Sequence, residues 1–370
     1  MGATAINEAN VPTAMNPDPH CVPRLGPVRL HEEVGPPRYT APSVIGLIGG
    51  LIVQARRRSV SPGKPYSTTK ATTRRGRRAA GSTTSSLAAT ATRLSRSPTR
   101  SYRAVVPFAE VDGVRLHYSD VGSGGPALVL LHAFPLHAGM WAPQLERLSA
   151  DRRVIAPDFL GFGGSDAPES MYRYTMLGYA DLLAGLLDTL GLDRVALGGL
   201  SMGGYVAFAF LRQYAERVSA LVLADTRASA DTNQVYERRT DQQDQVARIG
   251  TTALIEVLLD GLLSDHTRAS RLELVEQVRR LMANPAAGYI GALEAMKHRP
   301  DATDALAGIA VPTLVIVGAD DALSPPDVAR GMQERMPGAE LAILPHAGHL
   351  SNLEAAEEFN AAVGDFLSRR

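Results

Sequence analysis

Gly199-Leu200-Ser201-Met202-Gly203 stands between an apolar run, Val195-Ala196-Leu197, and a helical pattern, Tyr205-Val206-Ala207-Phe208-Ala209-Phe210. A serine framed by glycines, where a strand hands over to a helix, is how a chain drives one hydroxyl outward on a tight turn. Glycines two residues before and two after are needed because side chains there would strike the neighbouring strand or helix. The serine then opens a helix, where unpaired amides and the helix dipole favour developing negative charge. Five residues of this kind recur by chance, so the reading depends on partners elsewhere in the chain.

Working outward, Phe108–Val111, the Asp112-Gly113 turn and Val114–Val121 read as a hairpin. Ala127–His132 and Arg153–Pro157 are continuous apolar runs, expected as strands buried on both faces. Tyr174–Leu190 carries apolar residues at helical spacing and stops at Gly191. Further strands are predicted over Arg194–Leu200, Val218–Ala224, Thr313–Val317 and Glu340–Leu344, with helices over Met202–Tyr214, Pro326–Met336 and Ser351–Ser368. Strands alternating with helices mean an α/β fold with a mostly parallel sheet covered on both sides. Residues 229–300 break the alternation with helical stretches over Asn233–Gly250, Thr252–Leu263, Thr267–Ala283 and Ala286–Lys297. Such an insertion is expected as a lid over the carboxyl ends of the strands.

The balanced total of 38 basic and 38 acidic residues conceals two unlike parts. Residues 1–104 hold 16 Lys and Arg against 4 Asp and Glu, whereas residues 105–370 hold 22 against 34. The first part is rich in Ser, Thr, Pro and Arg, with too little apolar surface to offset backbone entropy, and is expected to be disordered. Its composition suits a solvated tail, an organellar transit peptide or an arm for anionic surfaces, and no function is assigned to it. Val44–Val53 is too short to span a bilayer, and the arginines follow it instead of preceding it as in a secretory signal. Cys21 is the sole cysteine, so no internal disulfide forms, and no Cys/His cluster has metal-ligand spacing. A cytoplasmic location is the expectation.

Three further segments follow strand ends. They are Gly318-Ala319-Asp320-Asp321, His346-Ala347-Gly348-His349 and His132-Ala133-Phe134-Pro135. The chain order serine, acid, histidine matches an active site in which a base takes the hydroxyl proton and an acid orients the base. By residue type alone, Asp320 and Asp321 both qualify as the acid, and His346 and His349 both as the base.

With the Asp158–Ser165 loop, these pieces resemble the serine α/β-hydrolases, and among them soluble bacterial esterases and lactonases such as pimeloyl-carrier methyl esterases and 3-oxoadipate enol-lactonases. The resemblance runs through residues 105–370 and implies the α/β-hydrolase fold. It implies Ser201 as nucleophile, His349 as base because it follows a glycine directly, and Asp321 as acid because it lies three residues past the strand-ending glycine. It also implies an oxyanion hole from the amides of Phe134 and Met202. Ala133 stands where the family usually has glycine, which raises the question of whether the loop needs positive φ there. Phe134-Pro135 is a candidate cis bond. Trp141 and His346 are candidates for the substrate pocket, as are Met140, Tyr205 and Met296. His132 is expected to be structural and Asp158 to hold the Gly161-Phe162-Gly163 loop.

The implied activity is hydrolysis of a small carboxylic ester or lactone, with no metal or organic cofactor and neither nucleic acid nor membrane as partner. Capture of the acyl group by peroxide or by a second alcohol would use the same residues, and a non-catalytic binding protein of the same fold is the remaining alternative. Oligomeric state is left open.

Overall fold

The apolar runs of the sequence become the inner strands of a single sheet. In the computed structural model, which describes residues 107–370, Leu128–Leu131 (β3), Val154–Pro157 (β4), Val195–Leu200 (β5) and Thr313–Gly318 (β7) are buried along their whole lengths. Phe108–Val111 (β1), Val114–Val121 (β2), Val218–Ala224 (β6) and Glu340–Leu344 (β8) complete eight strands in the order β1-β2-β4-β3-β5-β6-β7-β8. β1, β2 and β4 pair antiparallel, and every pairing from β4 to β8 is parallel. Helices Ala142–Leu148 (α1), Met176–Thr189 (α2), Met202–Tyr214 (α3), Asn233–Ile249 (α4), Thr252–Leu262 (α5), Asp265–Ser270 (α6), Leu272–Leu281 (α7), Ala286–Lys297 (α8), Pro326–Arg335 (α9), Ser351–Glu354 (α10) and Ala356–Ser368 (α11) surround the sheet. Two apolar clusters result: one sets Phe210 and Leu186 against Val129 and Leu197, the other sets Phe359 and Phe366 against Leu128 and Ile316. The expected α/β fold is therefore present. The basic segment over 1–104 lies outside the described residues.

Register places the functional loops. Leu131 of β3 pairs with Gly199 of β5, Leu200 with Ala224 of β6, Ala224 with Ile316 of β7, and Gly318 with Leu344 of β8. The loops after β3, β5, β6, β7 and β8 thus leave the sheet along one edge, where open α/β sheets bind ligands. Between β6 and β7 the chain passes through α4 to α8.

Three details differ from the sequence-based expectation. The helix α1, opened by Pro143 in its first turn, went unanticipated because only seven residues carry it. The expected helix over Thr267–Ala283 is broken at Arg271, whose ψ of 60° ends α6 and starts α7. The expected helix over Ser351–Ser368 is broken in the same way at Ala355, with ψ 56°. The two breaks face each other, and Arg271 Nη1 donates to the carbonyl oxygen of Glu354 at 2.6 Å.

Candidate active site

Ser201 sits at φ 55°, ψ −113°, between the end of β5 and the start of α3. A left-handed conformation in a residue with a side chain costs on the order of 1–3 kcal/mol and persists only where the surroundings impose it. Here the Ser201 amide donates to Ala224 O at 2.9 Å, while its carbonyl accepts from the Thr226 hydroxyl at 2.8 Å and from the Gly204 amide at 2.9 Å. The glycines are needed for space. A Cβ on Gly199 would lie 2.3 Å from Gly203 O, and one on Gly203 would lie 2.2 Å from Leu131 O.

From the loop after β8, His349 Nε2 lies 2.8 Å from Ser201 Oγ, and its Nδ1 lies 2.9 Å from Asp321 Oδ2. Asp321 is itself fixed by the loop after β7. Its Oδ1 accepts the amides of Leu323 and Ser324 at 2.8 and 3.0 Å, an Asx-turn arrangement, and its Oδ2 accepts from the Ser324 hydroxyl at 2.9 Å. Burial pushes this carboxyl up, but the electrostatic attraction of His349 and the hydrogen bonds from His349 and Ser324 outweigh burial and bring it down to about 2. An ionised carboxylate can only accept, so Nδ1 carries the proton and Nε2 presents its lone pair to the serine hydroxyl. His349 and Asp321 are buried, and Ser201 opens onto a cavity of about 290 Å³.

The amides of Phe134 and Met202 donate to no other group among the described residues, although both residues are buried. Phe134 lines the same cavity as Ser201. Ala133 is buried and does not adopt positive φ, so alanine costs nothing there; its amide contacts Met140 Sδ at 3.2 Å. Phe134-Pro135 is cis.

A family model for the α/β hydrolase fold matches residues 126–356. The chain belongs to the α/β-hydrolase fold family. Among its relatives, the 2-hydroxy-6-oxononadienedioate/2-hydroxy-6-oxononatrienedioate hydrolase of Burkholderia vietnamiensis is 34% identical, over 69% of this chain and 92% of the relative. Among solved structures, a thermophilic esterase from Thermogutta terrifontis with malate bound is 38% identical with a TM-score of 0.69, covering 71% of this chain and 98% of that one. The enol-lactonase from Burkholderia xenovorans is 31% identical with a TM-score of 0.66, covering 71% and 100%.

Within this α/β-hydrolase fold the other expected residues fall in different places. Asp320 is exposed. Three pocket expectations need correction. Trp141 is fully buried and packs on Phe359 with ring centroids 6.0 Å apart, because α11 closes over it; it does not reach the cavity. His346, at φ 58°, is exposed, lies with its ring centroid 6.3 Å from that of His266 and does not line the cavity at Ser201. Met140 is likewise core, whereas Tyr205 and Met296 do line the cavity. His132 is structural: Nδ1 donates to Ala133 O at 3.0 Å, Nε2 accepts from the Phe159 amide at 2.9 Å, and burial lowers it to about 4, so it stays neutral. Asp158 accepts from the Ala138 and Gly164 amides at 2.6 and 2.8 Å and from His117 at 2.5 Å, so it ties the loop after β4 to the loop after β3.

Several functional candidates lay beyond sequence reasoning. Ser324, three residues past Asp321, went unread, although its spacing from the aspartate is the signal of an Asx-turn partner. Glu354 carried no signal: its Oε1 accepts the Gly348 amide at 3.0 Å and its Oε2 the Ser264 amide at 2.9 Å, which joins the His349 loop to the start of α6. Buried Asp225, at the end of β6, accepts from the Gly318 amide at 2.8 Å and from the Ser351 hydroxyl. Among the described residues no cluster of three or more His, Cys, Asp or Glu side chains could hold a metal, and no helix is long and apolar enough to cross a membrane.

Proposed function

We propose that this protein hydrolyses a small carboxylic ester or lactone through an acyl-enzyme on Ser201. The observation that carries the reading is the unbroken hydrogen-bond chain Asp321–His349–Ser201, ending at a hydroxyl that opens on the cavity. Ser201 Oγ attacks the carbonyl carbon as His349 Nε2 takes its proton, and Asp321 stabilises the imidazolium that forms. The carbonyl oxygen, now carrying the electron pair of the opened double bond, is received by the amides of Met202 and Phe134, each worth on the order of a hundred- to a thousand-fold in rate. Collapse of the adduct breaks the bond to the leaving alkoxide, which takes the proton from His349. Water then repeats the sequence with His349 as base, and releases the acid. Helices α4, α5 and α8 supply much of the cavity wall (Val235, Leu258, Met296), which suits a lid that sets substrate shape. The reading includes a cytoplasmic enzyme acting on a small molecule without a cofactor and with neither nucleic acid nor membrane as partner.

A fluorophosphonate probe applied to the full chain should label Ser201 and no other residue, and Ser201→Ala should lose the label. A panel of 4-nitrophenyl esters of rising chain length, small lactones and the Burkholderia relative's 2-hydroxy-6-oxononadienedioate then ranks substrates. Turnover of the last with every ester and lactone untouched would overturn the ester or lactone assignment. Peracid formation outrunning hydrolysis on one ester would favour acyl transfer to peroxide, and Ser201→Ala turning over as well as wild type would return the chain to a binding role.

A further inference from the structure

The cavity above Ser201 carries an excess of positive charge. Arg227, Arg238 and Arg239 line it against a single acidic residue, Asp231. That acid is already engaged twice: Arg239 Nε lies 2.6 Å from its Oδ2, and Arg299 Nη1 lies 2.6 Å from its Oδ1. Arg227, half-buried just past the end of β6, and Arg238, exposed on α4, form no ion pair and no side-chain hydrogen bond among the described residues. A guanidinium on the wall of a cavity that also holds apolar Phe134, Leu258, Met296 and Leu323 loses hydration without gaining a partner. Its planar fork matches a carboxylate, and the cationic wall raises the local concentration of anions.

We propose that the substrate bears a carboxylate away from its scissile ester or lactone bond, and that Arg227, assisted by Arg238, receives it. The inference rests on the hydrolytic reading and adds the charge of the substrate to it. At about 290 Å³ the cavity admits a small acid ester and little more. With the carboxylate on Arg227, the carbonyl is held toward Ser201, so binding at the far end of the substrate restricts the reacting end.

The test uses the full chain and two esters matched in length, mono-4-nitrophenyl adipate and 4-nitrophenyl hexanoate. The expected kcat/KM ratio favours the anionic ester by about tenfold or more at low ionic strength, the scale of one charge-assisted contact, and falls as salt is added. Arg227→Gln should reduce the ratio by about ten- to a hundredfold, mainly through KM, while Arg227→Lys should retain part of it. A wild-type ratio of one or below overturns the anion inference alone, as does a ratio unmoved by Arg227→Gln and by the Arg227→Gln/Arg238→Gln pair. Failure to turn over either ester, together with failure of fluorophosphonate labelling at Ser201, overturns the hydrolytic reading and the inference with it.

Discussion

Asp225 and Asp321 extend from the ends of neighbouring strands β6 and β7, and their carboxyls are shifted in opposite directions. Burial, and then the charge of Asp321, push Asp225 well above the usual carboxylate range, whereas Asp321 is held at about 2. One carboxyl accepts from the Gly318 amide and the Ser351 hydroxyl; the other is the ionised partner of His349. Asp225→Asn should therefore be tolerated, since burial already disfavours charge at this position, an amide matches the carboxyl in shape, and the Ser351 hydroxyl can turn to accept from it. Asn also accepts the φ of 45° at this position. Asp321→Asn should lower kcat by about 10⁴-fold, by stabilising the wrong imidazole tautomer. Steady-state kinetics of the two variants on one ester separates them, and equal losses would refute the assignment of acid.

The same contrast fixes the pH dependence. Asp321 is depressed in the folded state, so its contribution to stability is complete above its unfolded value near 4 and is lost as pH falls toward 2. Asp225 is raised, so its contribution is complete below about 4 and is lost as pH climbs. Asp225→Asn should flatten the alkaline side of a stability profile measured by urea unfolding and leave the acid side alone. The acid limb of kcat/KM should have unit slope, because Asp321 does not titrate in the range where activity is measured.

Gly203→Ala should abolish activity and reduce soluble yield. The new methyl would sit 2.2 Å from Leu131 O, and neither the backbone of β3 nor that of α3 can retreat without shifting both Met202 and the loop that carries Phe134. Labelling by fluorophosphonate, normalised to folded protein by circular dichroism, tests whether the loss exceeds the loss of fold.

Glu354→Ala removes the acceptor shared by the amides of Gly348 and Ser264, and so frees the loop bearing His349 from α6. Misplacing a base by about an ångström costs roughly a hundredfold. The expected result is a fall in kcat of about ten- to a hundredfold with KM changed far less, and slower fluorophosphonate labelling. Glu354→Gln, which keeps one acceptor, should fall between the two. A change confined to the melting temperature would make Glu354 merely structural.

Asp231→Ala strands two guanidinium groups, Arg239 and Arg299, the second of them almost wholly buried. Removing one partner of such a buried set costs about 3–5 kcal/mol. Chemical denaturation should show a loss of that size, and limited proteolysis should cut first within α4 to α8.

Much of this was legible along the chain. Ser201, Asp321 and His349 each follow a strand end, and strand periodicity places those ends at one edge of the sheet. Helix breaks at Arg271 and Ala355 were not legible, because each interrupts a continuous apolar pattern for the sake of a contact between segments 83 residues apart. Trp141 was misread for the same reason: α11, more than two hundred residues later, is what buries it.

By itself, then, the amino-acid sequence determined the fold class, the order of the strands' functional loops and the serine between its glycines, since these follow from local periodicity and from glycine spacing; the choice of Asp321 over Asp320 and of His349 over His346 came from the resemblance to the α/β-hydrolases. Only the tertiary structure decided in which direction each of two neighbouring aspartates is shifted and which arginines of the cavity wall are left without a partner among the described residues. Those outcomes depend on distances through space between segments remote in the chain, and on how much water burial removes from each group.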